Sequence, residues 1–350
     1  MRTKNARPYP PSWVDRFTDW INSLPLPNWI LIGLGYLLAA ILFHISAWSD
    51  GVMPVGEFGF YWAFNAVWAV VGVSFLLVLD QAANKAIDKF AVLVPEKKAE
   101  LEALRYQMTT IPAGVALGLT VFMAVTLGAA LYFDASFAYV GISSPISYLI
   151  FYVIVVFSYS FAPLMIYQGF RQLGLIIKAY RLVKEINLFH LQPLYAFSGL
   201  TMVSSLFWVL ILNLNFVSNF GNYSGEAASL GDILFSFVLV IPYVLLAFAT
   251  FIVPLWGIHN RIQHKKEGAI EENGLQIEKA HRTLYQLLNK GNYKKTAEME
   301  KSLASLYKMR EQIEKVPTWP WNAGTLRGFL SAVFLPLGIW LAQKIISRFL

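Results

Sequence analysis

Cysteine is absent from the chain, and histidine occurs five times, as His44, His190, His259, His264 and His281. Without a thiol there is no disulfide, thiolate nucleophile, iron–sulfur ligand or cysteine zinc site. His259 and His264 stand five apart, a spacing that does not bring two imidazoles onto one helix face. The sequence also lacks a phosphate-binding glycine loop, a paired-carboxylate site and a nucleophile elbow. Neither an enzyme nor a bound metal or cofactor is expected.

The remaining groups with chemical potential are aromatic rings and a few amides. Tyr61 and Trp68, Phe157 and Tyr159, and Trp208 fall in three long apolar runs. They are expected to line an aromatic ligand pocket between helices, with ordinary interfacial and packing aromatics as the alternative. His44, Asn65, Gln168, Asn213 and Gln343 are polar positions inside such runs. Hydrogen bonding between helices is their expected role, because buried acids, the usual mark of a pump or transporter, are nearly missing. Gly114 and Gly118 form a GxxxG pattern that predicts close helix packing. Asn222-Tyr223-Ser224 is a glycosylation sequon, a short pattern that also arises by chance.

The elements that must carry these groups follow from composition. Of 350 residues 57% are hydrophobic and 14% charged, against about 25% charge in soluble domains. The charges gather between apolar runs of the length that crosses a bilayer, roughly 20 residues as helix. Seven spans are expected at about 28–48, 57–79, 109–133, 146–169, 192–216, 230–257 and 324–347. The fold class is therefore all-α, a polytopic membrane protein with seven transmembrane helices and cytoplasmic helical extensions.

Orientation follows from lysine and arginine. Of the 28 basic residues, all but Lys344 and Arg348 lie in the N-terminal leader, in the second, fourth and sixth loops, or at Arg327 just after the sixth. The first, third and fifth loops carry only acids: Asp50 and Glu57, Asp134, then Glu226 and Asp232. This places the N-terminus inside and the C-terminus outside, in the plasma membrane. The organisation reads as a cytoplasmic leader over 1–27 and a six-helix membrane region over 28–257, extended at 80–108 and 170–190. A cytoplasmic hairpin over 258–322 and a C-terminal membrane helix over 323–350 complete it.

In the hairpin, helices at about 258–289 and 294–315 flank the turn Asn289-Lys290-Gly291-Asn292. Met299, Leu303, Leu306, Arg310 and Ile313 alternate at spacings of four and three, a coiled-coil-like seam. Met299, Leu303, Leu306 and Ile313 are expected to form an oligomerisation stem. Closure within the hairpin onto Ile277, Leu284 and Leu288 is the alternative.

This layout resembles the insect odorant and gustatory receptor channels and their wider seven-transmembrane relatives. The carrying features are the extended cytoplasmic helices, the split last element at 294–315 and 324–347, and the joint Lys315-Val316-Pro317-Thr318-Trp319-Pro320-Trp321 between its halves. The family's threonine–tyrosine and glutamine–phenylalanine signatures are not present: Thr325 precedes Leu326, and Gln343 precedes Lys344. The absence of cysteine and the short loops suggest a prokaryotic relative. The resemblance implies a homotetrameric ligand-gated cation channel in which four last helices line one pore. On its own chemistry the last span offers Ser331, Leu335, Ile339 and Gln343 as pore-lining positions. Leu335 or Ile339 would form a hydrophobic constriction, and Gln343 a polar ring at the outer mouth. The expected partners are membrane lipid, further copies of the chain and a small apolar ligand, with no nucleic acid. The rival readings are a membrane scaffold or sensor whose hairpin binds a protein partner, and a small-molecule transporter.

Overall fold

The computed structural model describes residues 7–133, 142, 144–219 and 230–349, with the side chains of 215–239, 336, 337 and 339–349 outside the description. Among the described residues it has ten α-helices and no strand. They are α1 (Trp13–Ser23), α2 (Asn28–Ser49), α3 (Phe60–Phe90), α4 (Lys98–Thr109), α5 (Ala113–Phe133) and α6 (Pro145–Arg181). These are followed by α7 (Ser198–Asn219), α8 (Leu230–Asn289), α9 (Tyr293–Glu314) and α10 (Ala323–Phe349). Single 3₁₀ turns occupy Ala91–Leu93, Pro95–Lys97 and Gln192–Tyr195.

Among the described residues six helices are long and apolar enough to cross a membrane: α2, α3, α5, α6, α7 and α8. Their outward faces carry large apolar side chains, such as Leu34, Leu37, Leu38 and Ile41 on α2, and Leu117, Val121, Phe122 and Val125 on α5. In water such a belt would be a severe liability; against lipid it is the ordinary surface.

Three helices overrun a bilayer. α3 and α6 have 31 and 37 residues, and α8 has 60, roughly 90 Å at 1.5 Å per residue. The expected span at 230–257 and the first hairpin helix at 258–289 belong to one unbroken α8. Neither Pro242 nor Pro254 ends it. The chain turns back at Gly291, whose φ of 68° lies in the left-handed region that glycine adopts without strain, and α9 packs antiparallel on α8.

Helix ends that meet inside the protein are closed by basic side chains from other elements. Arg261 of α8 donates to the Tyr180 carbonyl at 2.8 Å and the Val183 carbonyl at 2.6 Å, at the end of α6. Lys266 donates to the Glu314 and Val316 carbonyls at 2.6 and 2.9 Å, at the end of α9. The last carbonyls of a helix have no intrahelical partner, and a cation there also complements the helix dipole.

The GxxxG pattern does not mark the tight helix contact. A Cβ added at Gly114 or Gly118 would meet nothing within 4 Å. The close approach is at Gly72 of α3, where an added Cβ would lie 2.2 Å from the Cβ of Phe161 on α6. Spacing alone identifies small residues but not the partner that uses them.

Candidate functional site

The C-terminal helix is built onto the rest of the chain by an aromatic stack. His259 lies on Trp319 at 3.9 Å between ring centroids, and Trp319 on Trp321 at 4.4 Å. Trp321 lies on Phe251 at 5.2 Å, and Phe251 on Phe329 at 4.3 Å. All four pairs are stacked, so five rings run unbroken from α8 through the joint, back to α8 and on to α10. Pro317 and Pro320 stiffen the joint by fixing φ, and Asn322 caps α10 by accepting from the Thr325 N–H at 2.7 Å. Together with Lys266 on the end of α9, these contacts make the joint between hairpin and C-terminal helix a rigid coupling. The Nδ1 of His259 is buried without a hydrogen-bond partner.

On α10, Phe329 and Val333 are buried, and Gly328 meets the end of Met202 on α7. Around the helix from this packed face lies an uncovered stripe: Gly324, Arg327, Ser331, Leu335 and Gly338 are all exposed. Leu335 is 64% exposed. Of the four expected pore residues, Ser331 and Leu335 thus share the uncovered face, while the side chains of Ile339 and Gln343 lie outside the described residues. The sequon Asn222-Tyr223-Ser224 also lies outside them.

The five expected pocket residues do not share one cavity. Trp68 and Tyr159 meet at 5.8 Å between centroids, and Tyr159 donates to the Asn65 Oδ1 at 2.8 Å. Tyr61 supplies its carbonyl to Asn65, but its own side chain is 53% exposed. Phe157 turns to a different cluster with Trp13 and Phe17 of α1 and with Phe161. Trp208 lies elsewhere, in a narrow crevice with Phe75, Met165, Phe170, Phe207 and Thr250 between α3, α6, α7 and α8. Phe157 and Tyr159 stand two apart on α6 and so point to different neighbours; a shared apolar run does not make a shared pocket.

The expected stem residues lie on the side of α9 that faces α8. Leu303 and Ile313 are buried, and Met299 and Leu306 half-buried, against α8 of the same chain, where Ile277 is buried too. Asn273 donates to the Leu306 carbonyl at 3.2 Å across the same seam. Much of this face is thus taken up within the hairpin, while Leu288 of the facing stripe stays 44% exposed.

A polar cluster of which only Gln168 is named from the sequence ties the leader to the bundle. The break between α4 and α5 leaves backbone groups without helical partners. Gln168 and Gln172 of α6 each donate to the Met108 carbonyl at 2.6 Å, and Arg171 donates to the Thr110 carbonyl at 2.7 Å. Arg171 also donates to the Tyr9 hydroxyl, which in turn donates to the Thr110 carbonyl at 3.0 Å. The Ile111 N–H is taken by Asp15 of α1 at 3.1 Å. Asp15 further accepts from the Ser12 N–H and hydroxyl at 2.6 and 2.8 Å. Burial raises the Asp15 carboxyl above its ordinary range, and these hydrogen bonds oppose the shift only in part. Asp15 and Asp80 of α3 both line a narrow crevice with Thr18, Thr109 and Gln168. The signal available in the sequence is Ser12-Trp13-Val14-Asp15, a capping-box pattern that opens an amphipathic run.

Among the described residues no cluster of histidine and acidic side chains has a geometry fit for a metal. Compared with known protein families, curated proteins and solved structures, the chain matches none.

Proposed function

We propose that this protein is a homotetrameric, ligand-gated ion channel with seven spans, its N-terminus inside, and α10 as the seventh span lining the pore. The observation that carries this reading is the uncovered stripe on α10. A lipid-facing stripe is expected to be uniformly apolar, whereas Gly324, Arg327, Ser331 and Gly338 are small or polar, with Leu335 among them. Small positions allow close approach of symmetry-related helices, and a ring of Leu335 side chains is suited to gate by dewetting.

Two further observations support the gating part. The crevice at Trp208 includes Ser204 and Thr250, close in sequence to Met202 and Phe251, which touch α10. The crevice is closed to anything larger than a water, so a small apolar ligand would have to part α7 and α8 there and would thereby press on α10. The rigid joint at Trp319 and Trp321 would carry hairpin movements to the same helix.

The deciding experiment is single-particle imaging of the purified protein, followed by flux measurements in vesicles. Fourfold symmetry with α10 on the axis, and conductance altered by Leu335→Ala, is the expected result. A monomer with α10 at the flank of the bundle would end the pore reading. The scaffold reading would then take its place, favoured by the exposed Leu275, Tyr285, Tyr307 and Met309 on the hairpin.

A further inference from the structure

Residues 7–27 read in sequence as a polar cytoplasmic leader, but α1 is packed onto the membrane helices. Trp13 donates through Nε1 to the Thr120 hydroxyl at 3.0 Å, and Thr120 lies about two turns into α5, roughly 10 Å along its axis. Trp13 and Phe17 touch Phe157, deep in the apolar part of α6, at 5.9 and 5.7 Å between centroids. The helix therefore lies at the depth of one leaflet, not beyond the ends of the spans.

The three sides of α1 differ in kind. Val14, Asp15, Thr18 and Ile21 are buried against the protein. On an ideal helix Trp13, Phe17 and Trp20 form one flank of this face, and Arg16, Asp19, Asn22 and Ser23 the other. Trp20 is 56% exposed, and beyond the helix Leu26 and Trp29 are 45% and 74% exposed. Arg16, Asp19, Asn22 and Ser23 are exposed. The aromatic flank is continuous with the apolar outer faces of α2 and α5, between which α1 is seated.

We infer that α1 is an in-plane membrane anchor. It lies at the boundary between headgroups and acyl chains of the leaflet on the N-terminal side, with Trp20, Leu26 and Trp29 in lipid and the Arg16–Asp19–Asn22 flank toward water. The occupant of the aromatic flank is the bilayer itself. A helix with a buried side, an aromatic side and a polar side satisfies all three surroundings only in that position. Through the Asp15 carboxylate on the Ile111 N–H, the same helix holds the break between α4 and α5, so lipid contact and bundle geometry are linked. This inference does not depend on the channel reading.

The cysteine-free chain allows a direct test. Trp20→Cys, Trp29→Cys, Arg16→Cys and Asn22→Cys are each made in the full chain, spin-labelled and reconstituted in phosphatidylcholine vesicles. Collisions with oxygen, which partitions into lipid, are compared with those of a water-soluble nickel chelate. Labels at 20 and 29 are expected to favour oxygen severalfold, and those at 16 and 22 the nickel chelate. Nickel-dominated collisions at all four positions would overturn the anchor and put α1 in water. A label at 20 shielded from both reagents, and broadened by a neighbouring label until diluted with unlabelled chain, would also overturn it and assign the flank to a second copy. All four replaced residues are exposed, so loss of folding is not expected, and agreement between the two positions on each flank guards against a local artefact.

Discussion

Replacing Gly72 by alanine adds one methyl group at a very close approach of two helices. The new Cβ would stand 2.2 Å from Cβ and 2.6 Å from Cγ of Phe161, a fully buried side chain. Because the nearest atom is a Cβ, fixed to the α6 backbone, no rotamer change relieves the clash. α3 and α6 must separate by more than about 1 Å to restore van der Waals contact. Overpacking of this kind costs about 1–3 kcal/mol, offset by about 1 kcal/mol from the better helix propensity of alanine. A net loss of about 0–2 kcal/mol is expected. By thermal unfolding in detergent this should read as a fall of up to several degrees, given about 2–4 °C per kcal/mol for chains of about 150–250 residues. Gly118→Ala, where the Cβ meets nothing, should unfold at the parent temperature or slightly above. The double variant Gly72→Ala/Phe161→Ala should remain less stable than Phe161→Ala alone, since alanine at 161 keeps the Cβ that the new methyl meets. Equal unfolding temperatures for Gly72→Ala and Gly118→Ala would refute the reasoning and the α3–α6 contact on which it rests.

Asp15 gives a pH prediction. Its carboxyl is raised in the folded state, chiefly by burial, so the folded protein binds this proton more readily than the unfolded chain, and stability falls as pH rises through the window above about pH 4. Wild type minus Asp15→Asn should therefore show stability increasing as pH is lowered from about 7 toward about 4; a flat difference across that range would count against a buried carboxyl. At the joint, Trp319→Ala removes two stacked faces, each worth about 0.5–1.5 kcal/mol. Trypsin should then cut at Lys315 markedly faster than in wild type, and Lys266→Met should act in the same direction by freeing the Glu314 and Val316 carbonyls. If α10 lines a pore, the positive charge of exposed Arg327 and the lack of any acid in α10 disfavour cations, contrary to the expectation from the family resemblance. Arg327→Glu should shift the reversal potential toward cation preference, and an unchanged potential would remove Arg327 from the conduction path.

Helical class and the positions of the apolar helices are legible because hydropathy is a property of each segment by itself. Runs of about 20 apolar residues have few alternatives to a membrane helix, and the six membrane-length helices fall where those runs lie. The hairpin is legible too, since its turn at Gly291 and its two flanking periodic segments are local signals. The leader is not: Arg2, Lys4 and Arg7 give it a polar cast, and Ser12 and Asp15, which cap α1, look like more of the same. At 257 the change from apolar to charged composition marks a change of solvent, not a break in the helix, and α8 runs through it.

What the sequence determined by itself was therefore the set of helices other than α1, most of their boundaries within a few residues and the spacing of residues along each one. What only tertiary structure decided was which faces meet. It turned the Leu303 seam inward onto α8, separated Phe157 from Trp68 and Trp208, and moved the close packing from Gly118 to Gly72. It also brought Asp15 to Ile111 and Tyr9 to Arg171 across long stretches of chain, and left the Ser331–Leu335 stripe of α10 uncovered. A helical period specifies that a face exists and what it is made of. Its partner depends on the rotation and offset of two helices that are far apart in sequence, and those are fixed by the packing of every side chain between them.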